Sequence, residues 1–136
     1  MERHILIVDD EPEFLYGLDL FLKKTGFTTT KAADGAEALC RIIRKTGKNF
    51  DLVLLDLDLP RIDGFGFLSA LSAYGIEIPV IVISGTLDVQ RYVDLVRAGC
   101  HDILLKPVNP ELLRRRITEV FAAGTRDAVS PPSSAA

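Results

Sequence analysis

Short apolar segments alternate along this chain with longer segments in which apolar residues recur every three or four positions. The short segments predict five β-strands and the longer ones five helices. The predicted strands cover residues 4–8, 27–31, 51–55, 79–83 and 102–105. The predicted helices cover 12–25, 34–47, 64–74, 88–98 and 110–123, with Pro or Gly near most of their ends.

The first, third and fourth predicted strands are apolar without alternation, which is typical of strands buried on both faces. The second, FTTTK, is weaker and edge-like. Strands that alternate with helices predict an α/β fold whose mostly parallel sheet is covered by helices on both sides. Five such units fit the doubly wound, flavodoxin-like strand order 2-1-3-4-5.

One domain accounts for most of the 136 residues, of which 48% are hydrophobic. We place this domain at residues 1–123. From Gly124 the composition changes to GTRDAVSPPSSAA, which has no core positions. Residues 124–136 are therefore interpreted as a tail, or as the start of a linker to an effector domain.

Composition and charge exclude several classes of function. No apolar segment approaches the 18 residues of a membrane span, and the first residues do not resemble a signal peptide. Cys40 and Cys100 form no Cys-x-x-Cys pair, and we interpret both as small buried hydrophobes in a reducing cytoplasm.

A net charge of −3 argues against direct nucleic-acid binding by this domain. The one basic run, Arg114-Arg115-Arg116, is interpreted as a solvated stripe near the end of the last helix, where positive charge complements the helix dipole.

Acidic residues follow the first and third predicted strands. In the order 2-1-3-4-5 these two strand ends flank the switch point where open α/β sheets bind ligands. The first carries Asp9-Asp10-Glu11 and the second Asp56-Leu57-Asp58. The turn after the first strand lacks the Gly, Ser or Thr residues that donate hydrogen bonds to phosphate groups in phosphate-binding loops. Clustered carboxylates instead suit a hard cation, Mg²⁺ or Mn²⁺.

A hydroxyl and an ammonium group follow at the next two strand ends. Ser84 follows the fourth strand and Lys106 the fifth, so the same sheet edge presents both beside the carboxylates. A carboxylate nucleophile, a divalent cation, a hydroxyl and a lysine together suit phosphoryl transfer. Asp56 is the best-placed nucleophile because it closes the central strand.

These residues resemble, in order and spacing, the response-regulator receiver domain of the CheY-like family in two-component signalling. The resemblance covers about residues 3–123. Its landmarks are the acidic pair Asp9-Asp10, Asp56 with Pro60 four residues later, Ser84-Gly85 and Lys106-Pro107.

The resemblance implies that Asp56 accepts a phosphoryl group from a sensor histidine kinase or a phosphotransfer protein. It implies that Mg²⁺ is held by the side chains of Asp9, Asp10 and Asp56 and by the backbone carbonyl of Asp58. Such a protein is a phosphoacceptor switch rather than an enzyme, with at most self-phosphorylation and self-dephosphorylation.

The resemblance also implies that Ser84 and Lys106 bind the phosphoryl oxygens, and that the Lys106-Pro107 bond is cis. Phosphorylation would then change the surface of the fourth helix, fifth strand and fifth helix. That surface would contact a partner, a second copy of the chain or an effector domain. We expect its exposed positions to include Arg91, Tyr92, Arg97 and Ile103.

Two residues depart from the family pattern. Ile103 stands three residues before Lys106, where receivers often carry a Tyr or Phe that swings inward. We therefore expect the segment from Ser84 to Val89 to carry the signal. Asp58 adds a carboxylate that would either compete for the cation or repel a phosphodonor.

Two alternatives use the same residues. The first is a receiver fold that serves as an unphosphorylated docking module. The second is a haloacid-dehalogenase-type phosphatase, because Asp56-Leu57-Asp58 resembles the Asp-x-Asp signature of that family. In those enzymes the Asp-x-Asp strand comes first and the acidic pair last, which is the reverse of the order in this chain.

Overall fold

A computed structural model describes residues 2–44, 49–59 and 61–123. Ten elements alternate along these residues. The strands are β1 (His4–Val8), β2 (Thr28–Ala32), β3 (Leu52–Asp56), β4 (Val80–Ser84) and β5 (Asp102–Leu105). The helices are α1 (Pro12–Lys24), α2 (Gly35–Arg44), α3 (Gly64–Ala73), α4 (Val89–Ala98) and α5 (Pro110–Ala123). Within these ranges no helix is both long and apolar enough to cross a bilayer.

The five strands form one parallel sheet in the order β2-β1-β3-β4-β5. This order confirms the predicted doubly wound, flavodoxin-like fold. All of β3 and β4, and four of the five residues of β1, are buried. Their unbroken apolar sequence therefore reflects helices packed on both faces of the sheet.

Side chains of successive strand residues enter two separate core layers, because they point to opposite faces of the sheet. From β1, Leu6 and Val8 join the layer formed with α2, α3 and α4. Ile5 and Ile7 join the layer formed with α1 and α5. Both layers are fully packed around β1 and β3, and this fixes the carboxyl ends of the two strands side by side.

Three strands begin one residue later than predicted. The amide of Phe27 donates to the Leu22 carbonyl at 3.1 Å, so Phe27 belongs to the turn after α1 and β2 begins at Thr28. The predicted first residues of β3 and β4, Asp51 and Pro79, precede their strands. β3 also ends one residue later than predicted, so that Asp56 is its last residue.

Helix ends follow local backbone chemistry. The Asp88 side chain caps α4 by accepting the Arg91 amide at 2.8 Å, so Asp88 precedes the helix. Gly99 ends α4 with φ 96°, a left-handed conformation that costs glycine little. Tyr74 is the C-terminal cap of α3 rather than a helical residue. The predicted end of α2 near Gly47, the family landmark Pro60 and the segment 124–136 lie outside the described residues.

One cysteine expected in the core, and two apolar helical residues, are at the surface. Cys40, expected to be buried, is exposed, whereas Cys100 is buried as predicted. Ile43 is 43% exposed and Val89 80% exposed. In α4 the buried position is Leu95. Each helix lies against one sheet face only, so an apolar residue turned by about 100° from the buried stripe faces outward.

The basic run of α5 does not complement the helix dipole as expected. Its three arginines lie in the second turn of α5, and the last turn contains no basic residue. Arg114 binds Glu111 at 2.9 Å, and Arg116 binds Asp102 through two contacts of 2.6 and 2.7 Å. Two of the three charges are therefore paired with carboxylates.

Candidate functional site

The carboxyl ends of β1 and β3 bring three carboxylates together. Asp9, Asp10 and Asp56 each offer an oxygen atom, and these atoms lie within 4.8 Å of one another. Asp9 and Asp56 are buried and Asp10 is exposed. We call these three residues the acidic crevice. Two buried carboxylates and one exposed carboxylate therefore provide ligand atoms that are all oxygen, at the carboxyl edge of the sheet.

The acidic crevice has more negative charge than its surroundings compensate. Burial, together with the charge of Asp9, raises the pKa of Asp56 to about 6, although Lys106 opposes the shift. Burial also raises the pKa of Asp9, against the Glu11 amide and Lys106, which both stabilise its charge. Carboxylates that are buried together resist ionisation, and a bound cation would relieve this cost.

Lys106 reaches into the acidic crevice from the end of β5. Its Nζ lies 3.0 Å from both an Asp9 oxygen and a Glu11 oxygen, and 3.8 Å from an Asp56 oxygen. The ammonium also lies 4.4 Å from the centre of the Phe14 ring. Burial works against the charge of Lys106, but the Glu11 and Asp9 carboxylates outweigh it and raise its pKa. Lys106 is therefore charged and held nearer to Asp9 than to Asp56.

Two backbone features are observed at Lys106. The Lys106-Pro107 peptide bond is cis, as the resemblance implies. The Lys106 amide donates to the Ser84 carbonyl at 2.8 Å, so the ends of β4 and β5 stay paired up to the site.

Ser84 is fully buried at the end of β4, and its hydroxyl is engaged within its own loop. The Oγ atom donates to the Thr86 carbonyl at 2.7 Å and accepts the Thr86 amide at 3.2 Å. Ser84 thus stands on the strand next to β3, as predicted.

Asp58 forms an ion pair with an arginine. The two roles considered for Asp58 from the sequence, competition for the cation and repulsion of a phosphodonor, did not include this contact. The Asp58 amide lies 3.5 Å from an Asp56 oxygen, and its carboxylate accepts from Arg91 at 3.0 Å. Arg91 also donates to the Thr86 hydroxyl at 2.9 Å. The two loops that follow β3 and β4 are therefore joined beside the acidic crevice by a side chain from α4.

The expected exposed positions on α4 and β5 are mostly half-buried. Of the four, Arg97 alone is exposed. Ile103 packs against the core layer of α2, α3 and α4. Exposed apolar side chains on this surface are instead Val89 and Leu105, the latter 54% exposed. Arg91, Tyr92 and Ile103 are therefore only partly exposed, which differs from the expectation; Arg91 binds Asp58, and Ile103 packs against that core layer.

Sequence reasoning missed three contacts of the site. It named Glu11 after the first strand without a role of its own, and it gave no role at the site to Phe14. It gave no role at the crevice to Arg91. The spacing carried one signal for Phe14, which lies one helical turn after Asp10 and so returns to the same end of α1. Nothing in the local sequence indicates that Arg91 reaches a residue 33 positions away.

The donor set fits a hard divalent cation. Its ligand atoms are all carboxylate oxygens, without sulfur or imidazole among them. Magnesium prefers one or two carboxylates and retains several waters, which an exposed Asp10 beside buried Asp9 and Asp56 permits. The residues present are therefore suited to Mg²⁺ or Mn²⁺.

Comparison with known proteins gives a consistent result. The response regulator receiver domain family matches residues 5–118. The chain is 38% identical over 120 residues to the Regulator of RpoS of Escherichia coli K12, which covers 88% of the chain and 34% of that protein. It is 36% identical over 135 residues to the transcriptional regulatory protein PrrA of Mycobacterium leprae, covering 93% of the chain and 57% of PrrA.

Solved structures agree with these relatives. A CheY-like receiver domain protein from Methanospirillum hungatei has a TM-score of 0.82 at 28% identity, covering 90% of this chain and 96% of that one. The Francisella response regulator 1452 receiver domain has a TM-score of 0.83 at 27% identity, with 90% and 98% covered.

The chain spans between about a third and just over half of the two curated relatives described above, but nearly all of the two solved receiver structures. Receivers of this kind work with a histidine kinase or a phosphotransfer partner and are not usually classed as enzymes. The fold, the matched residues and the acidic crevice agree, and the chain belongs to the response regulator receiver domain family of two-component systems.

Proposed function

We propose that this domain accepts a phosphoryl group on Asp56 from the phosphohistidine of a sensor histidine kinase or phosphotransfer protein in the cytoplasm. The observation that carries the proposal is the convergence of Asp56 with two further carboxylates and Lys106 at one sheet edge. Asp56 is the acceptor because it closes the central strand and is buried between the other charged groups.

The transfer exchanges one bond to phosphorus for another. A carboxylate oxygen of Asp56 forms the new P–O bond as the P–N bond breaks, and the electron pair returns to the imidazole, which takes up a proton. Asp9, Asp10, Asp56 and the Asp58 carbonyl would hold Mg²⁺, which supplies charge neutralisation for the phosphoryl oxygens when bound.

Lys106 and Ser84 receive the remaining phosphoryl oxygens. Lys106 needs only a short movement, because its ammonium is already 3.8 Å from Asp56. Ser84 must exchange its bond to the Thr86 carbonyl for one to the phosphoryl group. The modification adds about −1.5 to −2 charges, enough to bias the loop between two arrangements.

The output follows from that loop. Residue 103 is isoleucine and not the Tyr or Phe that often moves in receivers. The conformational change therefore passes through the segment 84–89 to α4 and then to the surface of α4, β5 and α5. Arg91, Tyr92, Arg97 and Ile103 belong to the part of this surface that we assign to output. The recipient is a second copy, a partner or an effector domain joined through 124–136 to the receiver at 1–123.

Intact mass after incubation with acetyl phosphate tests the proposal. We expect a Mg²⁺-dependent gain of one phosphoryl group that is absent in Asp56→Asn. Asp19→Asn is the matched control, because Asp19 is also a buried aspartate but lies on α1. Acetyl phosphate supplies the same phosphoryl group and releases acetate.

Absence of the gain with both acetyl phosphate and a cognate kinase would contradict the proposal and favour the docking module. Sustained turnover of p-nitrophenyl phosphate would instead favour the phosphatase.

A further inference from the structure

An arginine of α4 joins the two loops that follow β3 and β4 beside the acidic crevice. Arg91 donates one guanidinium nitrogen to Asp58 at 3.0 Å and another to the Thr86 hydroxyl at 2.9 Å. Asp58 follows β3, and Thr86 follows β4. We call Arg91, Asp58 and Thr86 the clasp. Its two anchor loops are those that carry the phosphoacceptor and Ser84.

The clasp controls charge where a phosphodonor must enter. Asp58 is two residues from Asp56, and its side chain is 62% exposed, so an unpaired Asp58 would add a negative charge at the mouth of an already acidic site. Arg91 is 31% exposed and supplies the opposite charge directly on that carboxylate. By Coulomb's law, an unpaired charge beside the site acts on a doubly charged ligand even in water.

The bond to Thr86 gives the guanidinium a fixed direction. A surface ion pair alone is a weak constraint, because long side chains lose entropy when they pair. Here the second bond and the Asp88 cap on the Arg91 amide hold both ends of the residue. Arg44 at the end of α2 is exposed, forms none of the described ion pairs and lies outside both the clasp and the output surface, which makes it a control.

We propose that Arg91 is a positioning residue that neutralises Asp58 and so sets the charge encountered by the cation and the phosphodonor. This inference rests on the proposed function. It predicts opposite effects on the two ligands. Removing Arg91 leaves Asp58 unpaired, and this attracts Mg²⁺ and repels a dianionic phosphodonor such as acetyl phosphate.

The test compares Arg91→Ala with wild type in two measurements. Titration calorimetry with Mg²⁺ should show about two- to fivefold tighter binding, and the Mg²⁺-saturated rate of phosphorylation by acetyl phosphate should fall about two- to fivefold. Both effects should shrink at high ionic strength, because salt screens exposed charges. A merely structural role would not move the two ligands in opposite directions.

Further variants separate charge from hydrogen bonding. Asp58→Asn in the Arg91→Ala background should cancel both effects while keeping the Asp58 backbone carbonyl. Arg91→Lys should retain most of the wild-type behaviour, Thr86→Val should have a smaller effect than Arg91→Ala, and Arg44→Ala should have none.

Equal Mg²⁺ affinities for wild type and Arg91→Ala, shifts of both ligands in one direction, or no rescue by Asp58→Asn would each overturn the clasp. If the wild-type protein accepts no phosphoryl group, the proposed function fails, and the Mg²⁺ titrations alone decide the clasp. Absence of Mg²⁺ binding to the wild-type protein would overturn both.

Discussion

Two clusters built around buried aspartates show opposite electrostatic designs. In the acidic crevice, Asp56 lies beside two further carboxylates, and its pKa is raised to about 6. In the second cluster, Asp19 of α1 accepts from the Thr29 hydroxyl and pairs with Lys23 at 3.2 Å and Lys31 at 3.8 Å. We call this second group the Asp19 cluster. Both central aspartates are less than a tenth exposed.

The difference lies in how the buried charge is compensated. Burial opposes the charge of Asp19, but Thr29 and Lys23 outweigh it and lower the pKa of Asp19. The Asp19 cluster is complete without a ligand and joins α1 to β2. The acidic crevice has three carboxylates whose negative charge is not fully compensated, and this destabilises the free protein. A bound cation would compensate the charge and so stabilise the protein. Burial alone therefore does not distinguish a structural aspartate from a functional one. The number and sign of the neighbouring charges distinguish them.

The largest expected effect is on stability, with opposite signs at the two clusters. In metal-free protein at pH 7, Asp56→Asn should raise the free energy of unfolding by on the order of 1–3 kcal/mol, because it removes a repelled buried charge. Asp19→Asn should lower it by about 1–3 kcal/mol, because charged hydrogen bonds are lost. Urea unfolding in the presence of a chelator measures both. Changes of the same sign would contradict the comparison.

Magnesium should act on one cluster only. At a concentration ten times its dissociation constant, Mg²⁺ should stabilise the wild-type protein by about 1.4 kcal/mol. Asp19→Asn should retain this gain, whereas Asp56→Asn should lose most of it along with one carboxylate ligand. Thermal unfolding with and without Mg²⁺ gives the result. Loss of the gain in Asp19→Asn would show that the clusters are coupled.

The effects of Asp56→Asn and Asp19→Asn on the free energy of unfolding should also depend differently on pH in metal-free protein. The pKa of Asp56 rises from 3.8 to about 6, so its charge costs stability as pH increases over that interval. The gain from Asp56→Asn should be full above pH 6 and absent below 3.8.

The pKa of Asp19 is lowered from 3.8, so its stabilising charge is fully present above that pH. The loss from Asp19→Asn should therefore shrink as pH falls below 3.8. Urea unfolding of both variants and wild type across this range measures the two trends. A loss from Asp19→Asn that is independent of pH would assign its effect to packing.

The smallest expected effects come from the lysines of the Asp19 cluster. Lys23 and Lys31 have side chains about half exposed, and substitution of either by methionine should cost about 0.2–1 kcal/mol. The Thr29 hydroxyl keeps Asp19 bonded in each variant. Chemical unfolding at low and high salt measures the cost. A loss as large as that of Asp19→Asn would mean that one lysine carries the whole cluster.

The sequence by itself determined the order of the elements and the positions of the charged strand ends. Unbroken apolar strands between amphipathic helices require a sheet covered on both faces, and parallel strands bring their carboxyl ends to one edge. Asp9, Asp56, Ser84 and Lys106 therefore lie at one edge of the sheet wherever this fold forms. Their spacing along the chain contains that information, because backbone periodicity fixes where each strand ends.

Only the tertiary structure decided which long side chains bind which partners. Arg91 was expected at the surface and instead binds Asp58, and Lys106 lies between Asp9 and Glu11 over the Phe14 ring. It also decided that Cys40 is exposed. A long, flexible side chain can bind any of several partners within its reach. Which partners lie within reach depends on loop geometry, and loop geometry depends on contacts between residues far apart in sequence.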